Sequence, residues 1–485
     1  MKKLNRSTHT LPIYPVKIIQ FGEGNFLRAF VDWQVDLLNE FTNFNAGIAV
    51  VRPIKANHPK LDEQDGLYTA LIQGINEKGD IVSQPRIISS INKEIQVYGE
   101  FDSFLREAEN EHLEWIISNT TEAGITFDAE DRLTEDPAKT FPGKVIQFLL
   151  HRYHYFSGDL TKGVIFLPCE LIDYNGEQLK SALLQYCSLW ELSDNFKTWL
   201  VKANTFCSTL VDRIVTGYPK SNIKEIESTL GYQDDFLVSA EYFYLFVIQG
   251  PKELNQKLCL DKYPLNIKIV DDIKPYKERK VGILNGLHTA LVPVAYLAGI
   301  DTVSTAMNDK QIATFIDKLL IEEIIPSLNM DQDDLVSFSN EVINRFKNPY
   351  IEHFLISISL NSFAKFKSRI LPQLLSYIQT NKQPPKLLAF SFAALICFYL
   401  GKRGEQTIPI TDEEWIINSF IEWAPLYETN IQQLVSNVLS LQKIWDRDLN
   451  LEKALTNEVT NLLTSIKDTG IRNTLNKEFS INEPQ

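Results

Sequence analysis

Lys280, Asn285 and His288 are the residues of this chain whose types and spacing best suit proton-transfer chemistry at an oxygen. They lie in the stretch K-E-R-K-V-G-I-L-N-G-L-H-T-A-L, from Lys277 to Leu291. On a helix turning roughly 100° per residue, with Lys280 at zero, Asn285 falls near about 140° and His288 near about 80°. All three share one side, bordered by Leu284 and Leu287, so that face is at least partly buried. Desolvation can lower the pKa of a lysine on a buried face, so that it can serve as a base near neutrality. An amide and an imidazole beside it can donate hydrogen bonds to an alkoxide or carbonyl oxygen. Lys277, at about 60° on the same wheel, shares the arc, so geometry leaves two lysines open. Each residue also has a plainer use: Lys280 as a snorkelling surface lysine, Asn285 as a helix cap, His288 as a core histidine.

A second stretch suits phosphate. Residues Ile18 to Phe30 read I-I-Q-F-G-E-G-N-F-L-R-A-F. A strand ending at Phe21 runs into Gly22-Glu23-Gly24, and a helix follows from Phe26 to Leu38. Gly22 permits the tight turn, and Gly24 lets the backbone approach a pyrophosphate. The helix start, at Asn25 and Phe26, offers amides and partial positive charge. The third glycine of the usual G-x-G-x-x-G is absent, and Leu27 stands there. Ribose recognition ordinarily uses an acid at the end of the second strand. Here Gly47 to Val51 ends in Arg52, which could face a 2′-phosphate, stack on adenine or lie solvated on the surface.

The elements that must position these residues differ between the two halves of the chain. Val16–Phe21, Gly47–Val51, Trp115–Ser118 and Val164–Leu167 read as short buried strands alternating with helices, and Tyr242–Ile248 and Ile267–Val270 add two more. That pattern implies an α/β fold with a doubly wound Rossmann-type domain. Beyond about residue 275, helical periodicity dominates: 283–299, 309–326, 334–346, 350–379, 387–400 and 412–466. The expectation is a dinucleotide-binding domain over 1–275 and a mostly α-helical substrate and catalytic domain over 276–485.

Composition limits the function classes. The 485 residues carry 48 basic against 62 acidic side chains, a formal net charge of -14. That argues against nucleic acid or an anionic membrane as partner, while leaving room for a basic pocket around a small anion. The five cysteines, Cys169, Cys187, Cys207, Cys259 and Cys397, form no C-x-x-C pair, which fits a reducing cytoplasm and no thiolate metal site. His151 and His154 make an H-x-x-H without a third ligand. Leu387 to Leu400 is apolar except for Ser391. It is short of the roughly 20 residues that span a bilayer, so it reads as a buried helix.

Several ordered motifs then carry a resemblance. They are G-x-G-N-F-x-R-A at Gly22–Ala29, S-N-T-T-E-A-G at Ser118–Gly124, P-C-E-L-I-D-Y-N-G at Pro168–Gly176 and V-D-R-I at Val211–Ile214. K-x-x-x-x-N-x-x-H at Lys280–His288, R-F-x-N-P at Arg345–Pro349 and His353 follow. Together they resemble the polyol-specific long-chain dehydrogenase/reductase family, which includes mannitol and hexuronate dehydrogenases. The G-E-G-N-F-L-R-A-F, V-V-R-P-I and P-C-E-L-I segments are most similar to its hexuronate branch. The resemblance implies NAD-linked, metal-independent interconversion of D-tagaturonate and D-altronate, with the epimeric D-fructuronate/D-mannonate pair or a polyol as alternatives. It implies Lys280 as general acid/base, with Asn285 and His288 holding the reacting oxygen. It implies Gly22 and Gly24 as carriers of the pyrophosphate, and Phe21, Asn25, Phe26 and Arg52 complete the cofactor-binding candidates. Lys365, in N-S-F-A-K, matches a family lysine that reaches substrate hydroxyls. Three positions depart from the pattern: Leu171 stands where relatives carry an asparagine, Gly282 where they carry an arginine, and Arg52 where they carry an acid after the second strand. Asn175, in the N-G that follows Leu171, is retained as a substrate-binding candidate. A sugar-acid carboxylate calls for arginine or lysine, and Arg345, Arg369 and Lys365 are the candidates. Arg369 is taken as a solvated or helix-capping charge.

Overall fold

A computed structural model describes residues 1–55, 59–121 and 123–481. The chain divides into two compact units, Met1–Gly74 with Ile81–Ile273, and Ile75–Asp80 with Lys274–Gln485.

The first unit is built on six strands: β1 (Val16–Phe21), β2 (Gly47–Arg52), β3 (Ile91–Gln96), β4 (Trp115–Ser118), β5 (Ile165–Pro168) and β6 (Thr205–Phe206). All pair in parallel, in the order β3-β2-β1-β4-β5-β6. Alternate side chains feed two separate cores. Ile18, Ile48, Val50 and Ile117 face one, and Ile19, Ala49, Val51 and Ile116 face the other. A parallel sheet covered on both faces needs this near-continuous apolar composition. The order reverses between β1 and β4, and in open α/β sheets ligands bind at the carboxyl ends of the strands beside such a reversal.

Four sheet strands coincide with their sequence signals to within a residue. β3 has no such signal, because I-N-K-E-I-Q lies at the sheet edge and carries Asn92, Lys93 and Glu94. Leu245–Gln249 and Ile267–Val270 belong instead to a separate three-stranded sheet with Ser208–Asp212. A further four-stranded sheet joins Tyr68–Ile75, Ile81–Ile88, Val215–Gly217 and Val238–Glu241. After the glycine loop come two helices, not one: α1 (Asn25–Ala29) and α2 (Val31–Phe41), broken at Phe30. The carbonyls at the break are taken by side chains. Tyr68 Oη donates to Arg28 O at 2.8 Å, and Arg213 Nη1 to Ala29 O at 2.8 Å. The V-D-R-I motif is therefore a clamp on this loop, with the Arg213 guanidinium over the Trp33 ring. On the far side of the sheet reversal, α3 (Asn175–Leu189) follows β5.

The second unit is helical apart from the Lys402–Arg403/Gln406–Thr407 hairpin and the segment Ile75–Asp80. Its functional helices are α4 (Lys274–Arg279), α5 (Gly286–Leu297), α6 (Gln332–Phe346), α7 (Ser362–Arg369), α8 (Leu371–Asn381) and α9 (Lys386–Tyr399). The long periodic stretches of the sequence are subdivided. Residues 350–379 break at Asn361, which sits at φ 52, and again at Ile370 ahead of Pro372. Residues 412–466 break at Asn430 and at Asp446, the latter at φ 57. Asparagine and aspartate tolerate left-handed backbone, and their short side chains compete for local hydrogen bonds. Among the described residues, no helix is long and apolar enough to cross a membrane.

α9 is the apolar helix read from the sequence, and all but one of its apolar side chains are buried. Its first amides are satisfied from outside. The Glu323 carboxylate accepts from Leu387 N at 2.9 Å and from Leu388 N at 2.8 Å. Burial pushes the Glu323 pKa up to about 7 against those two bonds. Because the folded value exceeds the unfolded one, the folded state retains a proton that the unfolded chain releases, and stability falls as pH rises through that window. Relative to Glu323→Gln, the natural protein should lose up to about 3 kcal/mol between pH 4.5 and 7. Thermal unfolding of both proteins across that range checks it; parallel pH profiles would refute the assignment.

Candidate active site

In the first unit the carboxyl ends of β1, β4 and β5 are tied together by backbone and by one asparagine. Asn119 N donates to Phe21 O at 3.1 Å, and its Nδ2 donates to Cys169 O at 2.8 Å. Gly22 sits at φ +114, and a Cβ there would lie 3.0 Å from Asn119 O. Only glycine meets both conditions. Gly24 differs. Its backbone is extended, at φ -65, and beyond its two chain neighbours no described atom lies within 4 Å of where its Cβ would be. The space it leaves is open, as a cradle for a group arriving from outside must be.

The other residues of this site divide by what occupies them. The Phe21 ring is buried between Phe104 and Phe141, so it anchors the strand from beneath. Asn25 Oδ1 accepts from Arg28 Nη2 at 2.6 Å. Phe26 lines a cleft of about 470 Å³ with Asn119, Thr121, Ala123, Glu170, Leu171 and Val211. Leu171 projects there 65% exposed, where an apolar surface can meet a flat ring. Glu170 is buried at the same cleft, accepting from Ser118 Oγ at 3.0 Å and from Thr120 N and Oγ1 at 3.0 and 2.9 Å; burial raises its pKa. Within the S-N-T-T-E-A-G motif, Glu122 lies outside the described residues.

Two sequence expectations are placed differently. Arg52 is not a surface residue: it is 1% exposed and its Nε is paired with Glu94 on the neighbouring strand β3. Glu94 also accepts from Leu61 N at 2.6 Å. Asn175 is equally enclosed. Its Nδ2 donates to Pro168 O at 2.9 Å and Glu170 O at 3.0 Å, while its Oδ1 accepts from Thr209 N at 2.8 Å. The amide thus orients the loop after β5, and what it can offer a substrate is the position of that loop.

In the second unit, Lys280–Asn285 is a π-helical turn inserted between α4 and α5. Five steps along an α-helix sweep about 500°, leaving residue i+5 about 140° from residue i. A turn closed i→i+5 holds more residues, so residue i+5 comes back closer to overlying residue i. Lys280 and Asn285 are accordingly nearer to one line than the even wheel gives. Lys280, Asn285 and His288 are all half-buried, whereas Lys277 is exposed. Gly282 lies inside this turn, where a Cβ would meet Gln373 Nε2 at 2.7 Å and Leu328 Cδ2 at 3.0 Å. No larger residue fits there unless those two side chains move.

The R-F-x-N-P motif and His353 turn out to surround His288. Phe346, at the end of α6, stacks on the His288 ring at 4.1 Å and 28°, and His353 meets it edge-on at 5.2 Å and 72°. The imidazole plane is therefore set by packing. Burial lowers the His353 pKa. Arg345 is 8% exposed in the last turn of α6. Lys365 Nζ donates to Ile358 O at 2.8 Å. Burial, and then the charge of Arg369, lower the Lys365 pKa. Arg369 is not a solvated charge. It is half-buried, burial lowers its pKa, and its Nη1 donates to Thr289 Oγ1 at 3.4 Å. Thr289 in turn donates to Asn285 O at 2.8 Å. The signal for Arg369 was its place four residues after Lys365, which puts both on one face of α7.

Among the described residues, no group of three or more His, Cys, Asp or Glu is placed to hold a metal ion. Residues 16–262 match the mannitol dehydrogenase Rossmann domain, and residues 272–467 match the mannitol dehydrogenase C-terminal domain. The chain belongs to the mannitol dehydrogenase family. It is an oxidoreductase. A relative from Yersinia enterocolitica named altronate oxidoreductase is 53% identical over 97% of this chain and 99% of its own. Two solved structures share the fold. A substrate-free D-sorbitol dehydrogenase has a TM-score of 0.80 at 19% identity, covering 98% of this chain and 100% of its own. A Pseudomonas fluorescens mannitol 2-dehydrogenase, in ternary complex with NAD and D-mannitol, has a TM-score of 0.66 at 21% identity, covering 99% of each chain.

In this member of the mannitol dehydrogenase family the two loop glycines should behave differently on substitution. Gly22→Ala forces a left-handed backbone and a close contact, and should cost about 1–3 kcal/mol of stability. Gly24→Ala strains nothing and should leave the melting temperature within about 1 °C. It should nevertheless weaken binding of a nicotinamide dinucleotide about tenfold or more, because the methyl group occupies the cradle. Melting curves and NADH fluorescence titrations of the two variants separate these effects; equal destabilisation would refute the distinction.

Proposed function

We propose that this protein interconverts D-tagaturonate and D-altronate with NAD as cofactor, using Lys280 as general acid/base and no metal ion. The observation that carries the chemistry is the π-helical turn, which draws Lys280 and Asn285 together on the helix that also carries His288. The substrate is supported by the relative named altronate oxidoreductase, at 53% identity along nearly the whole chain.

The open cradle at Gly24 and the cleft lined by Phe26, Asn119 and Leu171 fit a dinucleotide. NAD is favoured over NADP because the Arg52 guanidinium is already neutralised by the buried Glu94, and so is poorly available to a 2′-phosphate. Bound NADH supplies the hydride. The chain's own part is proton transfer and charge stabilisation. In reduction the Asn285 amide and His288 donate hydrogen bonds to the carbonyl oxygen, and the Lys280 ammonium delivers its proton there. In oxidation the neutral Lys280 amine takes the hydroxyl proton. Phe346 and His353 hold the imidazole plane, so the donor needs no reorientation. The five cysteines are free, in keeping with a protein of the reducing cytoplasm.

Purified protein with NADH should turn over D-tagaturonate in preference to D-fructuronate and D-fructose. Preference for either of the latter would retain the family and discard the substrate. Lys280→Ala should lower kcat by about 10²–10⁴-fold, the usual range for a general acid/base, while NADH still binds. Strong chelator should leave the natural enzyme's rate unchanged. Turnover by Lys280→Ala near the natural rate would remove the lysine from the mechanism.

A further inference from the structure

The geometry points to Arg369, with Lys365 beside it, as the subsite that takes the carboxylate of the sugar acid and sets the preference for acid over neutral ketose. This deepens the proposed function and rests on it, since it takes a sugar acid as the substrate.

Four observations lead there. First, Lys365 and Arg369 lie four residues apart on α7, on one face of that helix. Two like charges at this spacing repel each other, and both are partly withdrawn from water. Second, among the described residues no carboxylate lies within ion-pair distance of either. The acid that acts on Lys365 is Asp412, which itself accepts from the Tyr399 hydroxyl. Third, Arg369 packs on the helix that carries His288. Its Nη1 rests on the Thr289 hydroxyl, which bonds the Asn285 carbonyl, so the guanidinium lies one helical turn beyond Asn285. Fourth, the Thr289 contact engages only Nη1. Nε and Nη2 form the other edge of the fork, the edge that matches two carboxylate oxygens.

A neutral hydroxymethyl group offers one oxygen and no charge, so it cannot use this edge fully. A carboxylate can, and it also relieves the repulsion between the two cations. An arginine already oriented by Thr289 loses less freedom on binding than a solvated one would. Lys365 supplies a second, point-like charge, while its bond to the Ile358 carbonyl holds the ammonium in place.

The experiment compares D-tagaturonate with D-tagatose, the neutral ketose bearing CH₂OH in place of the carboxylate. The natural enzyme, Arg369→Leu and Arg369→Lys are assayed with NADH on both. The ratio of kcat/KM for acid over neutral substrate should fall about 100-fold in Arg369→Leu, the size of a lost charge-assisted hydrogen-bond pair. Most of the change should appear in KM for the acid. Arg369→Lys should recover part of the ratio by restoring charge without the fork. Equal losses on both substrates would assign Arg369 a purely structural role, and an unchanged ratio would remove it from recognition; either overturns the subsite. If the natural enzyme turns over neither substrate, the proposed function fails, and calorimetry with D-altronate and D-altritol on the NADH-loaded protein decides the subsite separately. Tighter binding of the acid, lost in Arg369→Leu, would uphold it. Equal binding of acid and polyol by the natural protein would reject it.

Discussion

A helix that takes an extra residue into one turn loses regular hydrogen bonding there and must be supported from outside. The turn at Lys280–Asn285 is supported by α8, whose Gln373 lies against Gly282, and by Leu328. The carbonyl of Arg369 approaches Gly286 at the end of the same turn, 3.6 Å from where a Cβ would be. Glycine at position 282 allows this close packing, and the close packing keeps the irregular turn in place. The consequence is local: Lys280 and Asn285, about 140° apart on a regular helix, come nearer to one line. Phe346 and His353 then fix the third member, His288, by its ring faces and edges.

The first unit solves a different problem by similar means. A parallel sheet delivers three strand ends side by side, and the loops leaving them must be held without blocking the ligand. Asn119 joins two of those ends with its side chain, and Glu170 gathers the Ser118 and Thr120 hydroxyls beneath the cleft. Tyr68 and Arg213 take the carbonyls exposed where the helix after the glycine loop breaks at Phe30. Carbonyls of the loop and of the helix break are thus satisfied from within the protein, and the space in front of Gly24 stays open.

Buried polar side chains account for most of the places where residue type alone was ambiguous. Arg52 and Asn175 carry groups that suit a ligand, yet both are enclosed by protein partners. Arg369 reads as an exposed charge in a helix end, yet it is half-buried against Thr289. In each case one deciding partner, Glu94, Thr209 or Thr289, is distant in sequence. β3 carries no apolar signal for the related reason that an edge strand can be polar.

What the linear order of residues determined was the strong local signal. The buried strands β1, β2, β4 and β5, the glycine turn, the apolar helix α9 and the Lys280, Asn285, His288 spacing all follow from periodicity, backbone preference and side-chain chemistry over a few residues. The ordered motifs further carried the family. Tertiary structure alone decided the π-helical turn, the break at Phe30, the subdivision of the long helical stretches and the partners of Arg52, Asn175 and Arg369. The reason is physical. Periodicity records which face of an element is buried, but how a buried polar group is satisfied depends on what another element brings to it.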